Sequence, residues 1–152
     1  MIKAEDLRIG DLVKVNEVGC MIPKGTMCKV VAIDSEKSFE EMNLKGCATL
    51  IELEVNHCNI SWGIWCKYIS PIPLTPEILK KNEFDYLNEE VVTYNKRIHR
   101  GIILVLRPYG KVFDVIIKRN WHAMECHIRY IEYIHELQHL LWALGRNANL
   151  KI

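Results

Sequence analysis

Five residues near the C-terminal end of the chain have the types and spacing of a zinc-binding motif. His135, Glu136 and His139 form the pattern H-E-x-x-H. On a helix, histidines four residues apart share one face and can both bind a zinc ion, while the glutamate beside the first can act as general base toward a metal-bound water. A zinc-dependent hydrolase is therefore one candidate function, with His135 and His139 as metal ligands and Glu136 as the catalytic residue.

A catalytic zinc needs a third protein ligand, and the sequence does not supply it downstream. After His139 the chain continues to Ile152 without an Asp, Glu, His or Cys. The nearest upstream residues that could bind zinc are His122, Glu125, Cys126 and His127. The missing downstream ligand weighs against the zinc-dependent hydrolase. We therefore expect the protein to bind no metal and no other cofactor. In the alternative interpretation as a hydrolase, the cofactor would be zinc.

The helix that carries the motif is predicted over about 128–144, where Gly145 ends it. At about 100° per residue, its apolar stripe comprises Tyr130, Ile134, Leu137, Leu141 and Leu144. His135 and His139 lie well away from the centre of this stripe. We therefore expect both imidazoles to face solvent unless the barrel of the first half covers them.

A second candidate site is electrostatic. Between 96 and 129 the chain has eight cations against Asp114 and Glu125, a charge of +6 in a chain that carries only +1. The cations are Lys96, Arg97, Arg100, Arg107, Lys111, Lys118, Arg119 and Arg129. Tyr109, Phe113 and Trp121 interleave with them, and a basic hairpin with aromatic residues can bind phosphates and stack bases. The alternative is a solvated sheet face with Phe113 and Trp121 packed inward.

Two tryptophans in the first half of the chain could extend a binding surface. In SH3-like barrels, exposed aromatic side chains line grooves for extended peptides. Trp62 and Trp65 fall on opposite faces of a regular strand, so we expect at most one in the core and one exposed. The candidate binding face, for a protein or nucleic-acid partner, comprises Arg97, Arg100, Lys111, Tyr109, Trp62 and Trp65.

The elements that would position these residues fall into two halves. Residues 1–70 are rich in β-branched residues and turns and predict an SH3-like β-barrel. Residues 71–83 form a proline-marked connector, in which Thr75-Pro76-Glu77 starts a short helix. Residues 84–152 predict an α+β unit, a small antiparallel sheet packed by one long C-terminal helix. The expected fold class is therefore α+β.

The strands of both halves are predicted from alternating or continuous apolar runs. In the first half they cover 12–15, 26–33, 48–55 and 62–69. In the second half they cover 91–96, 102–106 and 111–118, with a tight turn at 107–110 between the last two.

Composition excludes several classes of protein. Of the 152 residues, 49% are hydrophobic and 26% are charged, which is enough apolar material for a core and excludes a disordered chain. The longest apolar runs have about six residues, far fewer than the roughly 20 of a membrane-spanning helix, so we expect no membrane partner. The net charge of +1 argues against a protein built chiefly to bind nucleic acid, although a local basic patch is compatible with it.

The six cysteines are expected to be free thiols in a cytoplasmic protein. The segment 1–8 lacks the apolar stretch and the cleavage site of a signal peptide, and cytoplasmic cysteines stay reduced. The pairs Cys20/Cys28 and Cys58/Cys66 share one spacing, with His57 beside the second, and would form a metal site if they converged. No pair has the spacing C-x-x-C, so buried cysteines in neighbouring strands are expected instead.

Three segments of the chain are similar to segments of other proteins: LRIGDLV at 7–13, IPLTPEIL at 72–79 and YIHELQHLLWAL at 133–144. With these the chain resembles a group of small uncharacterised bacterial proteins, many of phage or prophage origin. The resemblance spans nearly the whole chain and implies an intracellular protein with a β-rich front half. The resemblance implies no known catalytic residues. In the resembling proteins the final helix has a histidine-leucine-glutamine motif, and the complete His-Glu-x-x-His of this chain departs from it.

No other catalytic motif is present in the chain. It has no glycine-rich phosphate loop, no G-x-S-x-G elbow and no C-G-x-C-type nucleophile. The sequence therefore predicts a non-catalytic binding or adaptor module, with the zinc-dependent hydrolase as the alternative.

Overall fold

The structure of the protein is a computed structural model. The structure describes residues 2–16, 22–34, 50–55, 61–88, 90–119 and 122–152. The chain divides into two compact units, Met1–Ile72 and Pro73–Ile152, and each contains an antiparallel sheet. The described helices are few and short beside these sheets, and the predicted α+β class is confirmed.

In its described residues the first unit forms a meander of five short strands. They are β1 (Leu12–Val15), β2 (Met27–Asp34), β3 (Leu50–Val55), β4 (Ser61–Trp65) and β5 (Ile69–Pro71). All neighbouring strands are antiparallel, in the order β4-β3-β2-β1-β5. Among these described strands β4 and β5 are the two edges and do not pair with each other, so the described strands do not show a closed barrel.

The strand predicted over 62–69 is divided into β4 and β5. Cys66–Tyr68 form one 3₁₀ turn between them, and the buried thiol of Cys66 donates to the carbonyl oxygen of Ile2 at 3.4 Å. After this turn β5 pairs with β1, so that Pro71 lies opposite Val13. The propensity of the segment for β-structure does not reveal the break, because the residues on both sides of the turn are strand formers.

The core of the first unit lies on one face of this sheet. In β1 the side chains alternate, with Val13 and Val15 fully buried and the residues between them half-buried. A bulge in β2 between Val30 and Ala32 shifts the register against β3, and bulges bend a strand and increase its twist. The other core residues are Ile2, Leu7, Ile22, Cys28, Val30, Ile51, Leu53, Ile64, Cys66 and Ile69.

The second unit begins with a short capped helix, α1 (Pro76–Lys81). The hydroxyl of Thr75 accepts a hydrogen bond from the backbone N–H of Ile78 at 3.4 Å, and proline occupies the first helical position. After the helix, the buried Asn82 side chain donates to the carbonyl oxygens of Ile78 and Lys151, each at 2.8 Å. Its Oδ1 accepts from the Lys151 N–H at 2.8 Å. Asn82 therefore holds the C-terminal segment against the end of α1.

The sheet of the second unit is also a meander. Its described strands are β6 (Asp85–Asn88), β7 (Val92–His99), β8 (Ile102–Tyr109), β9 (Val112–Arg119) and β10 (His122–Ile131), in the order β10-β9-β8-β7-β6. The turn predicted at 107–110 lies further along the chain, because Pro108 and Tyr109 still belong to β8. The chain reverses at Gly110 and Lys111, where Gly110 takes the positive φ of 61° that a two-residue hairpin turn favours.

The C-terminal helix is shorter than predicted. α2 (Ile134–Ala143) begins several residues after the predicted start near 128, because residues 128–131 continue β10 beside β9. Tyr130, expected in the apolar stripe of the helix, lies on the sheet and is exposed. The short apolar run of Ile128, Tyr130 and Ile131 is compatible with the 3.6-residue period of a helix and with the two-residue period of a strand. Periodicity alone therefore does not distinguish strand from helix here.

The core of the second unit combines the sheet with α2. Tyr94 packs edge-on against Phe113, with ring centroids 6.1 Å apart. The buried apolar residues of the sheet are Tyr94, Ile98, Leu104, Val105, Leu106, Phe113, Val115, Ile116 and Ile131, and those of the helix are Ile134, Leu137 and Leu141. Within the described residues, neither helix has both the length and the apolar character needed to cross a membrane.

The described cysteines are free thiols, as expected. Cys28 and Cys66 are buried and Cys126 is exposed, while Cys20 and Cys58 lie outside the described residues. Burial raises the pKa of the Cys28 thiol to about 11.

In the folded protein at pH 8, we expect iodoacetamide to alkylate Cys126 well before Cys28. The thiolate is the reacting form, and a pKa raised by about two units lowers the thiolate fraction roughly 100-fold. Mass spectrometry of the two peptides over time measures both rates. In concentrated urea the two rates should converge, and equal rates in the folded protein would show that Cys28 is not buried.

Candidate functional site

The H-E-x-x-H motif occupies the first two turns of α2, and its spacing brings the two histidines together. The ring centroids of His135 and His139 are 5.8 Å apart, with planes at 74°. His135 also stacks on Tyr133, with 5.8 Å between centroids and 10° between planes. The prediction that both imidazoles face solvent is wrong, because His135 is buried and His139 is half-buried. Tyr130, part of the predicted stripe, belongs to β10 and does not set the buried side of the helix.

The carboxylate of Glu136, the candidate general base, caps the start of α2. Its Oε2 accepts hydrogen bonds from the backbone N–H groups of Glu132 at 2.7 Å and Tyr133 at 3.0 Å. Its Oε1 accepts from the guanidinium group of Arg129 at 2.6 Å. At the third position of a helix, a carboxylate that reaches back to the preceding N–H groups stabilises the first turn. Helix capping therefore accounts for a glutamate at this position.

Glu125, one of the candidate third ligands, lies on β10 between two cations. Its carboxylate is 2.5 Å from the ammonium group of Lys118 and 3.6 Å from the guanidinium group of Arg107. The hydrogen bond from Lys118, helped by the charge of Arg107, lowers the pKa of Glu125. The register places Glu125 directly opposite Lys118 on β9, so these contacts follow from strand pairing.

The other candidate ligands also lie on β10. His127 pairs through Nδ1 with the carboxylate of Asp114, and Cys126 is exposed. The side chain of His122 lies outside the described part of the structure. Among the side chains that are described, no group of three His, Cys, Asp or Glu is placed to hold a metal ion.

Two further cations of the basic segment are held within the unit. Arg129 binds Glu136 as described above, and Lys96 donates to the carbonyl oxygen of Asn82 at 2.5 Å. The Lys96 ammonium group also lies 4.0 Å from the carboxylate of Glu83. Together with Arg107 and Lys118, half of the eight cations of the segment thus have partners in the described part of this unit.

The remaining arginines of the segment gather at one end of the sheet. Arg97 lies opposite Ile103 and Arg119 opposite Ile102, while Arg100 occupies the turn between β7 and β8. Because Ile102 and Ile103 are consecutive in β8, Arg97 and Arg119 flank this end of the sheet from its two faces. Arg146, just after α2, donates to the carbonyl oxygen of Arg97 at 3.4 Å. We call Arg97, Arg100, Arg119 and Arg146 the arginine end. All four are exposed, and within the described residues none contacts a carboxylate.

The predicted binding face is not one cluster. Tyr109 and Lys111 lie at the opposite end of β8 from Arg97 and Arg100, and an eight-residue strand separates its ends by roughly 24 Å. At that end Tyr109 belongs to an aromatic row, with its ring centroid 6.0 Å from that of Tyr130, which is 5.1 Å from that of His127. The remaining predicted members, Trp62 and Trp65, belong to β4 of the first unit, and their side chains lie outside the described part.

Sequence reasoning missed Arg146, because a charge count over 96–129 stops before it. A signal for it was present: from Leu137 to Ile152 the chain has no Asp or Glu, so the region after the helix is cationic. Only the packing of that region beside β7 brings its charge to the turn between β7 and β8.

Comparison of the chain with known protein families, curated proteins and solved structures finds no match.

Replacing Glu136 with alanine should lower the free energy of unfolding by about 1–2 kcal/mol, because two N–H groups at the start of α2 lose their acceptor. Glu136→Gln is the matched control, since glutamine can still accept from those groups and should retain most of the stability. Urea titration followed by circular dichroism measures both variants. Equal and small losses in the two variants would contradict the capping role.

Elemental analysis of protein purified without a histidine tag should find no stoichiometric zinc. The reason is that Glu136 is held by capping contacts and that the described residues offer no three-ligand group. His139→Ala serves as the comparison. Stoichiometric zinc in the wild type that is lost in His139→Ala, with its folding unchanged, would instead revive the zinc-hydrolase alternative and justify a search for the third ligand and a substrate.

Proposed function

We propose that the protein is a non-catalytic binding module that holds the phosphate groups of a nucleic acid at the arginine end. The observation that carries this proposal is the concentration there of Arg97, Arg100, Arg119 and Arg146 without carboxylate partners in the described residues. Of the other five cations of the basic segment, four are held within the second unit, and Lys111 is exposed at the opposite end of β8. Three of the four cations of the segment that have no carboxylate partner in the described residues are therefore at this end of the sheet, although the net charge of the chain is only +1.

The chemistry of these side chains favours phosphate as the ligand group. A guanidinium group presents a planar fork of donors that matches phosphate oxygens bidentately and loses less hydration on binding than an ammonium group. A nucleic acid also gains from every neutralised phosphate, because condensed counterions are released. An acidic protein is the other partner that this charge would suit, and the experiment below separates the two.

The first unit is, in this proposal, an SH3-like barrel that accompanies the binding unit. Its meander order, the pairing of β5 with β1, the 3₁₀ turn before β5 and the bulge in β2 all support a curved sheet whose edges approach each other. The resemblance to phage and prophage proteins supports a cytoplasmic location, where nucleic acid is present. Fold alone does not carry the function, which rests on the arginine end.

The proposal is tested by fluorescence anisotropy with a labelled oligonucleotide at several salt concentrations. Wild-type protein should bind, and the logarithm of its association constant should fall linearly with the logarithm of the salt concentration. Arg97→Ala, Arg100→Ala and Arg119→Ala should each weaken binding and reduce the salt slope by about one. Arg146 is left unchanged, because it hydrogen-bonds the backbone of Arg97 and its loss would disturb the site itself.

Lys111→Ala is the matched control, since it removes one exposed cation from the same unit at the opposite end of β8. Its affinity and salt slope should equal those of the wild type. Loss of binding in Lys111→Ala equal to that in the arginine variants would refute the arginine end as the site. Absence of salt-dependent binding to any oligonucleotide would refute the nucleic-acid partner and leave an acidic protein as the ligand to be sought.

A further inference from the structure

The two arginines that flank the end of the second sheet are fixed on opposite faces of it. Ile98, the neighbour of Arg97 in β7, is only 3% exposed, so Arg97 leaves the strand on the face opposite to this buried side chain. Lys118, the neighbour of Arg119 in β9, is held by an ion pair with a carboxylate of β10 at 2.5 Å. Because Arg97 and Lys118 both lie opposite Ile103, Arg119 leaves the sheet on the other face from Arg97.

The strand order sets the distance between these two arginines. β8 lies between β7 and β9, so the backbones that carry Arg97 and Arg119 are two strand spacings, about 10 Å, apart. The two side chains diverge from there toward opposite faces. The major groove of B-form DNA is about 12 Å wide and the minor groove only about 6 Å. The spacing of the arginines therefore matches the two phosphate backbones that border the major groove.

The residues between the two arginines favour a duplex over a single strand. Proteins that hold single strands combine cations along the backbone with aromatic rings on which the bases stack. The register places Ile102 and Ile103 between Arg97 and Arg119, and an isoleucine has no ring for a base to stack on. A single strand would also have to cross the end of β8 to reach both faces, whereas a duplex presents two backbones at a fixed separation.

We propose that the ligand of the arginine end is duplex DNA, with the end of the sheet across its major groove, Arg97 on the phosphates of one strand and Arg119 on those of the other. This inference rests on the proposed function and narrows its ligand class. Contacts to phosphate carry no sequence information, so the site distinguishes duplexes from single strands and not one sequence from another.

Fluorescence anisotropy with a short labelled DNA duplex and with one of its strands alone tests the inference. Wild-type protein should bind the duplex more tightly. Arg97→Ala and Arg119→Ala should each weaken duplex binding roughly 10-fold, the value of one charge-assisted hydrogen bond. The double variant should lose roughly 100-fold on the duplex, because both contacts form at once and their losses multiply. On the single strand, which reaches one face at a time, the double variant should lose only roughly 10-fold in all.

A duplex in which every cytosine is a glucosylated 5-hydroxymethylcytosine tests the groove. The glucosyl groups are uncharged and fill the major groove, while every phosphate stays in place. Wild-type affinity for this duplex should fall by at least the roughly 10-fold of one lost phosphate contact. Unchanged affinity would overturn the assignment to the major groove.

The outcomes separate this inference from the proposed function. Lys111→Ala combined with Arg97→Ala is the matched control and should lose no more than Arg97→Ala, since Lys111 lies at the opposite end of β8. Equal wild-type affinity for the duplex and the single strand, with the Arg97/Arg119 double variant losing equally on both, would overturn the duplex inference and keep the phosphate site. No binding to either oligonucleotide would refute both proposals. Circular dichroism of each variant confirms that it is folded before its affinity is compared.

Discussion

The position of α2 depends on the carboxylate of Glu136, which accepts hydrogen bonds from two backbone N–H groups and from Arg129. These contacts stabilise the first helical turn at Ile134, just after the pairing with β9 that keeps residues 128–131 in β10. Beyond the other end of the helix, the N–H of Arg146 donates to the carbonyl oxygen of Leu141, and its guanidinium group donates to the carbonyl oxygen of Arg97. The segment of α2 is thus fixed at its start by a contact to β10 and after its end by a contact to β7.

Strand pairing in the second unit divides its cations into two groups. Where a carboxylate lies opposite or diagonal to a cation, as Glu125 does for Lys118 and Arg107, the charges neutralise each other on the sheet. At the end of the sheet near the turn between β7 and β8, Arg97 faces Ile103, and Arg119 faces Ile102 and His122, so neither arginine meets a carboxylate across the strands. The arginine end is therefore a product of register, and a total charge near zero is compatible with a strongly cationic local surface.

Much of the fold was accessible from local patterns. The strands β1 to β3, the capped start of α1 at Thr75 and the glycine that ends α2 follow from alternation, capping chemistry and the freedom of glycine at positive φ. The 3₁₀ turn at Cys66 and the passage of 128–131 into β10 were not accessible, because both segments have side chains that suit the alternative structure equally well. Tertiary partners decided them: β1 for the segment after Cys66, and β9 for β10.

The features of the candidate site were likewise predictable from the sequence only in part. The sequence by itself determined that the basic charge lies in 96–129 and that His135 and His139 come together on one helix, because both depend on positions close along the chain. It could not determine that Glu136 serves as a cap, or that Tyr109 and Lys111 lie a whole strand away from Arg97. It also could not bring Arg146 to the backbone of Arg97, near the turn between β7 and β8. Those relations join residues far apart in sequence, and only the pairing of strands and the packing of α2 establish them.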